Sequence, residues 1–183
     1  PWLLALCFLT YTSNFLAVTS FLPTFLTEVE GYDLGWAAAL TALVVAGNVF
    51  GNVCGGWLLH KGAKRWALIA IASFVMGSTA LLIYRPSTPE AIRVALGFAF
   101  TFVGGFLPAS IIGGVPLHAP APALIGTTNG LIMQCTNIGM LLTPPVFAAI
   151  AARHGWSAAP LLTAAFSALG IGLALMIGRH EAR

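Results

Sequence analysis

Apolar residues run through this chain in long stretches, broken by Gly, Pro and small clusters of charge rather than by regularly spaced polar positions. The windows from Trp66 to Tyr84, Val94 to Leu117 and Ala119 to Ala152 contain no Asp, Glu, Lys or Arg. Each is close to or longer than the roughly 20 residues a helix needs to cross about 30 Å of hydrocarbon. The interruptions predict six spans, roughly 2 to 26, 35 to 59, 66 to 84, 90 to 114, 123 to 148 and 158 to 178. Short connections make consecutive helices antiparallel, packed neighbours. Two starts carry local signals. Asp33 is placed to N-cap the second span, and "STPE" offers Ser87 or Thr88 as cap for the fourth, with Pro89 near the first helical position and Glu90 in the first turn.

Composition agrees with a membrane. Hydrophobic residues make up 58% and charged residues 7%, with a mean hydropathy of +0.92, against about 25% charged in soluble domains. The net charge of +3 comes from eight Lys and Arg scattered among span ends, with no continuous basic surface, so nucleic acid is excluded as a partner. Cys7, Cys54 and Cys135 fall in different apolar segments without metal-ligand spacing. They read as small hydrophobes, and no metal or cofactor is expected. The chain starts at Pro1 without a basic region or cleavage signal, which reads as an internal start rather than a signal peptide. With both ends cytoplasmic, that side holds Lys61, Lys64, Arg65, Arg179 and Arg183, against Arg85, Arg93 and Arg153 outside. The bias favours this orientation in a cell (inner) membrane.

Polar residues are distributed unevenly among the spans. The third and sixth carry only Ser, Thr and Gly as relief, while Tyr11, Thr12, Ser13 and Asn14 mark the first, Asn48 and Asn52 the second, and Asn129, Gln134 and Asn137 the fifth. Two triplets, each with its plainest helix last, predict a three-plus-three inverted repeat with the third helix of each outermost. In the fifth span, "NGLIMQCTNIGMLLTPP", Asn129, Thr136 and Thr143 form one stripe at 100° per residue, and Gly130, Gln134 and Asn137 a second about a quarter-turn away. Neighbouring helices are expected to satisfy one stripe, and water or solute in a cavity the other. In the second span Gly47, Gly51 and Gly55 make a double GxxxG ridge for close packing, with Asn48 and Asn52 beside it. Thr10, Ser13, Ala17, Ser20 and Thr24 give the first span a small-residue face. In the fourth, Pro108 predicts a kink, either static or, with Gly104 and Gly105, a hinge, and Arg93 is expected to snorkel to the interface, with a substrate or gate contact as the alternative.

The stretch "GGWLLHKGAKRW" resembles the loop signature G-x-x-x-D-R-x-G-R-R of major facilitator superfamily transporters. Gly56 takes the leading glycine, Lys61 the first basic position, and Lys64 and Arg65 the final pair, while His60 replaces the acid and Ala63 a glycine. "GMLLTPP" resembles the superfamily's G-x-x-x-G-P element, with Thr143 for the second glycine. The resemblance implies an all-α membrane fold like the carboxyl-terminal six-helix half of that family, its fourth span being a cavity helix that bends. It also implies a secondary transporter of a small organic solute, completed by a missing amino-terminal half or a second copy of itself. Tyr11, Asn14, Asn129, Gln134 and Asn137 are the expected neutral hydrogen-bonding partners of the solute, with interhelical hydrogen bonding the alternative for Tyr11 and Asn14. No acid lies inside a span to couple an ion. A non-transporting scaffold is the main alternative. An intramembrane enzyme is a weaker one, since Ser110 has no His at membrane depth to activate it and no catalytic residue is assigned.

Overall fold

The computed structural model of the chain describes residues 1–181, and these are entirely helical or irregular. Arg183, counted above in the charge bias, lies outside the described residues. The first span is two pieces, α1 (Trp2–Thr19) and α2 (Leu22–Glu28). The second is α3 (Leu34–His60) and the third α4 (Arg65–Ile83). The fourth is again divided, into α5 (Glu90–Gly104) and α6 (Phe106–Ile112), and is followed by the short α7 (Val115–His118). A 3-10 turn at Pro122–Leu124 leads into α8 (Ile125–His154), and α9 (Pro160–Glu181) ends the bundle. Together they give 6 stretches long and apolar enough to cross a membrane. Residues 1 and 181 share one end, the terminal face; the other end is the opposite face.

Both divided spans break for the same reason. Proline has no N–H for the carbonyl four residues back, and its ring crowds that carbonyl. Pro23 therefore acts on Thr19, where α1 stops, and Pro108 on Gly104, where α5 stops. Only the second break was expected from the sequence. A neighbouring span bonds the backbone close to each break: the Tyr84 hydroxyl donates to the Val18 carbonyl at 2.8 Å, and the Asn48 amide at 3.2 Å to the Thr101 carbonyl, which also accepts from the Gly105 N–H. The fifth span behaves differently. It passes the expected end at 148 with Pro144 and Pro145 inside it, and stops at Gly155, whose φ of 83° needs glycine. Asp33 accepts from the Trp36 N–H at 3.0 Å as expected of a cap. The cap foreseen at Ser87 or Thr88 is absent: Pro89 holds the N-cap position, and the Thr88 hydroxyl donates to the Leu82 carbonyl at 2.7 Å.

Packing follows a pseudo-twofold. The third and sixth spans pack on each other, the first on the fifth and sixth, and the fourth on the second and third. Exchanging the two triplets maps each pairing onto another, as an inverted repeat requires. Small residues make the crossings. A Cβ on Gly51 would overlap the Phe102 carbonyl, and one on Gly105 would sit 2.6 Å from the Asn48 carbonyl. Gly139 meets Ser13 and the Leu9 carbonyl in the mate of that crossing. Between α4 and α9 the fit is reciprocal, with a Cβ on Gly77 lying 2.7 Å from the Ser167 hydroxyl and one on Gly170 lying 2.7 Å from that of Ser73.

Gly51→Ala is expected to force α3 from α5 and cost about 1–3 kcal/mol or more. Gly56→Ala, which meets nothing within 4 Å, is expected to be neutral or slightly stabilising. Thermal unfolding in detergent compares the two; equal midpoints would show that the ridge is not a tight crossing.

Candidate functional site

The polar side chains of the first, second and fourth spans meet at one level. Asn48 lies one position beyond Gly47, which α5 touches, so the glycine contact turns the amide toward α1 as well. Its Nδ2 donates to the Tyr11 hydroxyl at 3.1 Å and to the Thr101 carbonyl at 3.2 Å. One turn on, the Asn52 Nδ2 donates to both the Asn48 carbonyl at 2.9 Å and its Oδ1 at 3.0 Å. Tyr11 is buried, stacked with Phe8 at 5.6 Å and tilted against Phe15 at 5.8 Å. Asn48 and Asn52 are half-buried.

Span five stands at the same level. Gly139 is seated on Ser13, and because the first and fifth spans run in the same direction, Asn137 and Tyr11, each two residues earlier, share a layer. By the rise of about 1.5 Å per residue, that layer lies roughly 15 Å from the terminal face, near the middle of the hydrocarbon. The two polar stripes of α8 have separate fates. Thr143 is buried, Asn129 and Thr136 are half-buried, and the Thr136 hydroxyl bonds the Ile132 carbonyl at 3.0 Å. Gly130, Gln134 and Asn137 are exposed. Neither amide makes a hydrogen bond among the described residues, although each has both a donor and an acceptor to satisfy.

The structure thus gathers Tyr11 with Asn48, Asn52 and Thr101, and sets Asn137 and Gln134 on an open face beside them. Asn129 lies between the packed and open sides of α8. Asn14 goes elsewhere: it is 2% exposed and donates to the Ser167 hydroxyl at 3.1 Å, joining the first and sixth spans. Its position 100° per residue around α1 turns it toward α9 when Tyr11 faces α3. Sequence reasoning noted Asn48 and Asn52 as polar but could not put them with Tyr11, because their register depends on the crossing at Gly47 and Gly51.

At the terminal face, Gly56 is exposed and contacts nothing, Lys61 lies 5.8 Å from the Trp57 ring centre, and Lys64 precedes α4 without a capping side-chain bond. Arg65 alone joins distant parts. It donates to the Ser110 carbonyl, and to that of Gly113 at 3.4 Å, so it covers the free carbonyls at the end of α6. Its Nε lies 3.2 Å from Glu181. His118 is 3.6 Å from the same carboxylate, and burial holds its imidazole below the usual range despite that pull. At the opposite face, Arg93 does not snorkel: it is 2% exposed and pairs with Glu30 at 2.6 Å. Among the described residues no group of His, Cys, Asp or Glu is arranged to hold a metal.

The sequence profile of the Major Facilitator Superfamily matches residues 1–137. A probable sulfoacetate transporter of Cupriavidus necator is 25% identical over 177 residues, covering 93% of this chain and 41% of that protein. A probable nitrate/nitrite transporter of Mycobacterium tuberculosis is 26% identical over 151 residues, covering 81% of this chain and 37% of that protein. The crystal structure of a POT family transporter in complex with 5-aminolevulinic acid superposes with a TM-score of 0.85 at 15% identity, over 97% of this chain and 37% of that one. The chain therefore spans about two-fifths of the length of the relatives it matches.

Removing a bonded amide and removing a free one are expected to differ. Asn48→Ala should lower stability by about 1–3 kcal/mol, because it removes two bonds in an apolar setting, one to the Tyr11 hydroxyl and one to the Thr101 carbonyl, which keeps only the Gly105 N–H. Gln134→Ala and Asn137→Ala should stay within about 0.5 kcal/mol of the parent. Unfolding followed by circular dichroism in mixed micelles measures both. A large loss for Asn137→Ala would mean that its amide is structural.

Proposed function

Because the chain belongs to the Major Facilitator Superfamily, we propose that it supplies six helices of a secondary transporter that moves a small organic solute by alternating access. The observation carrying this reading is the open amide face of α8. Gln134 and Asn137 stand at membrane depth without a partner in the bundle, and lipid offers no hydrogen bonds. The face is therefore covered by water, solute and a second six-helix bundle, either the other half of a longer polypeptide or a second copy of this chain. The solute lies near the midplane, against Asn137 and Gln134 of α8 and the Tyr11, Asn48 and Asn52 cluster, while Asn129, about 12 Å nearer the terminal face, meets it on the way. Asn14 supports α1 from behind.

The two divided spans supply the movement. α2 lies beyond a break toward the opposite face and α6 beyond a break toward the terminal face, so each closes one entrance to the same layer. Gly104 and Gly105, with Pro108, form the hinge of the terminal side, and the loop of Gly56, Lys61, Lys64 and Arg65 anchors that side in the cytoplasm. Two of the transporters resembling this chain are named for small anions, sulfoacetate and nitrate or nitrite. The middle layer described here holds amides and hydroxyls but no Lys or Arg, so the counter-charge for an anion comes from the partner bundle. In the scaffold reading, the same amides only join bundles.

Flux into vesicles separates these readings, using the full polypeptide that contains this chain with sulfoacetate and nitrate as first probes. Asn137→Ala and Gln134→Ala are each expected to lower flux about ten-fold, as loss of a hydrogen bond worth ~1.4 kcal/mol would, with insertion unchanged. Normal flux would remove these residues from the site. Loss of assembly instead of flux would favour the scaffold.

A further inference from the structure

The fate of Arg93 has a mechanical consequence for α2. Beyond the break at Pro23, α2 packs on α3, and side chains tie it to the other spans. Phe25 is fully buried, edge-on to Tyr84 at 5.1 Å and to Trp156 at 5.5 Å, and Phe21 stacks on Phe147 at 4.9 Å. These rings give α2 a seat on the third and fifth spans. They give no bond to the fourth.

Arg93 provides that bond, and its guanidinium divides its contacts between two bodies. Nη2 donates to the Thr88 carbonyl at 2.8 Å and the Arg85 carbonyl at 3.2 Å, both in the turn just before its own helix. These contacts fix the arginine from its own side. Nη1 donates to Glu30 at 2.6 Å, and the guanidinium carbon lies 4.7 Å from the Phe25 ring centre. Phe25 lies in α2 and Glu30 two residues past its end. Withdrawal of α2 would break the ion pair and the cation–π contact together, while the carbonyl bonds would keep the arginine in place for re-closure. A buried guanidinium needs such carbonyl partners for the N–H groups that the carboxylate leaves over, and here they lie on the side that would stay behind.

We propose that Arg93 is a positioning residue that clasps α2 shut at the opposite face, through Glu30 and the face of Phe25, and releases it when that entrance opens. The inference rests on the transport reading for its effect on flux, but the closure can be measured separately. α2 and the end of α8 border a crevice of about 240 Å³ that includes Thr24, which is half-buried. Beyond the other break, Ser110 is fully buried in α6.

The test uses the full polypeptide in proteoliposomes, with Cys7→Ala, Cys54→Ala, Cys135→Ala and any cysteine elsewhere in it likewise replaced, and one reporter, Thr24→Cys or Ser110→Cys, added. The readout is the rate of labelling by a membrane-impermeant maleimide. Glu30→Gln keeps the shape of a side chain that is 24% exposed, and Arg93→Gln removes the charge from the other partner. Each is expected to raise Thr24→Cys labelling roughly ten-fold by shifting the closed population, and to leave Ser110→Cys labelling unchanged. Arg93→Lys should fall between, since an ammonium can meet Glu30 but lacks the planar fork. Unchanged Thr24→Cys labelling in folded Glu30→Gln protein overturns the proposal, as does an equal rise at both reporters. With flux present, the clasp changes kcat more than KM. If the unmodified protein carries no solute, the transport reading falls while the labelling result still decides the clasp.

Discussion

Every backbone carbonyl in hydrocarbon needs a donor, and in this bundle that requirement governs what surrounds each interruption. A carbonyl left free in lipid costs several kcal/mol, roughly, with no water to offset it. Pro23 and Pro108 withhold a donor from the Thr19 and Gly104 carbonyls, and neighbouring spans bond the adjacent backbone, at the Val18 and Thr101 carbonyls. Tyr84 is fully buried because its hydroxyl must reach the Val18 carbonyl from the third span. Asn48 reaches the fourth from the second, and Arg65 covers the end of α6. The breaks are thus integrated into the tertiary structure, and each can move only if its donors move or let go.

Close helix approach is what makes this service feasible. Side chains as short as Asn reach a neighbour's backbone only where the helices nearly touch, and the glycines provide that contact. Gly47, Gly51 and Gly55 bring α3 onto the Thr101 to Phe106 stretch, so the Asn48 amide lies within 3.2 Å of a carbonyl on another helix. The same contact brings it to Tyr11. Small residues thereby set the polar geometry, although they contribute no polar group themselves. In the pseudo-symmetric crossing, Gly139 on Ser13 fixes the level of Asn137 in the same manner.

Arginine appears at both faces in related positions. Arg65 holds the short segment beyond the break in the fourth span, and Arg93 the one beyond the break in the first. Each joins a side-chain charge to backbone carbonyls and to one carboxylate, Glu181 or Glu30. Placing these charges at the ends of the spans leaves the middle layer neutral and wettable. That arrangement suits a site where solute must bind and leave, since a fixed deep charge without a partner would be costly when the site is empty.

Much of the architecture was legible in the sequence because hydrocarbon thickness and backbone satisfaction permit few alternatives to helices of about 20 residues. The six spans, the Asp33 cap, the glycine ridge and the two stripes of α8 all follow from local pattern. The break in the first span was missed because Pro23 falls near a span end, where a proline ordinarily marks a helix boundary. Prolines 144 and 145 lie inside the expected fifth span, and α8 runs past its expected end at 148 to His154. Side-chain destinations were the least legible. Asn14 and Tyr11 are both polar residues three apart on one helix, yet one bonds Ser167 and the other Asn48. Arg93 could as well have reached the interface. The sequence by itself determined that six apolar helices cross the membrane and which positions are polar. Only the tertiary structure decided which of those polar groups are used up in holding helices together and which remain open, because that depends on the rotation and crossing of helices that sequence periodicity leaves free.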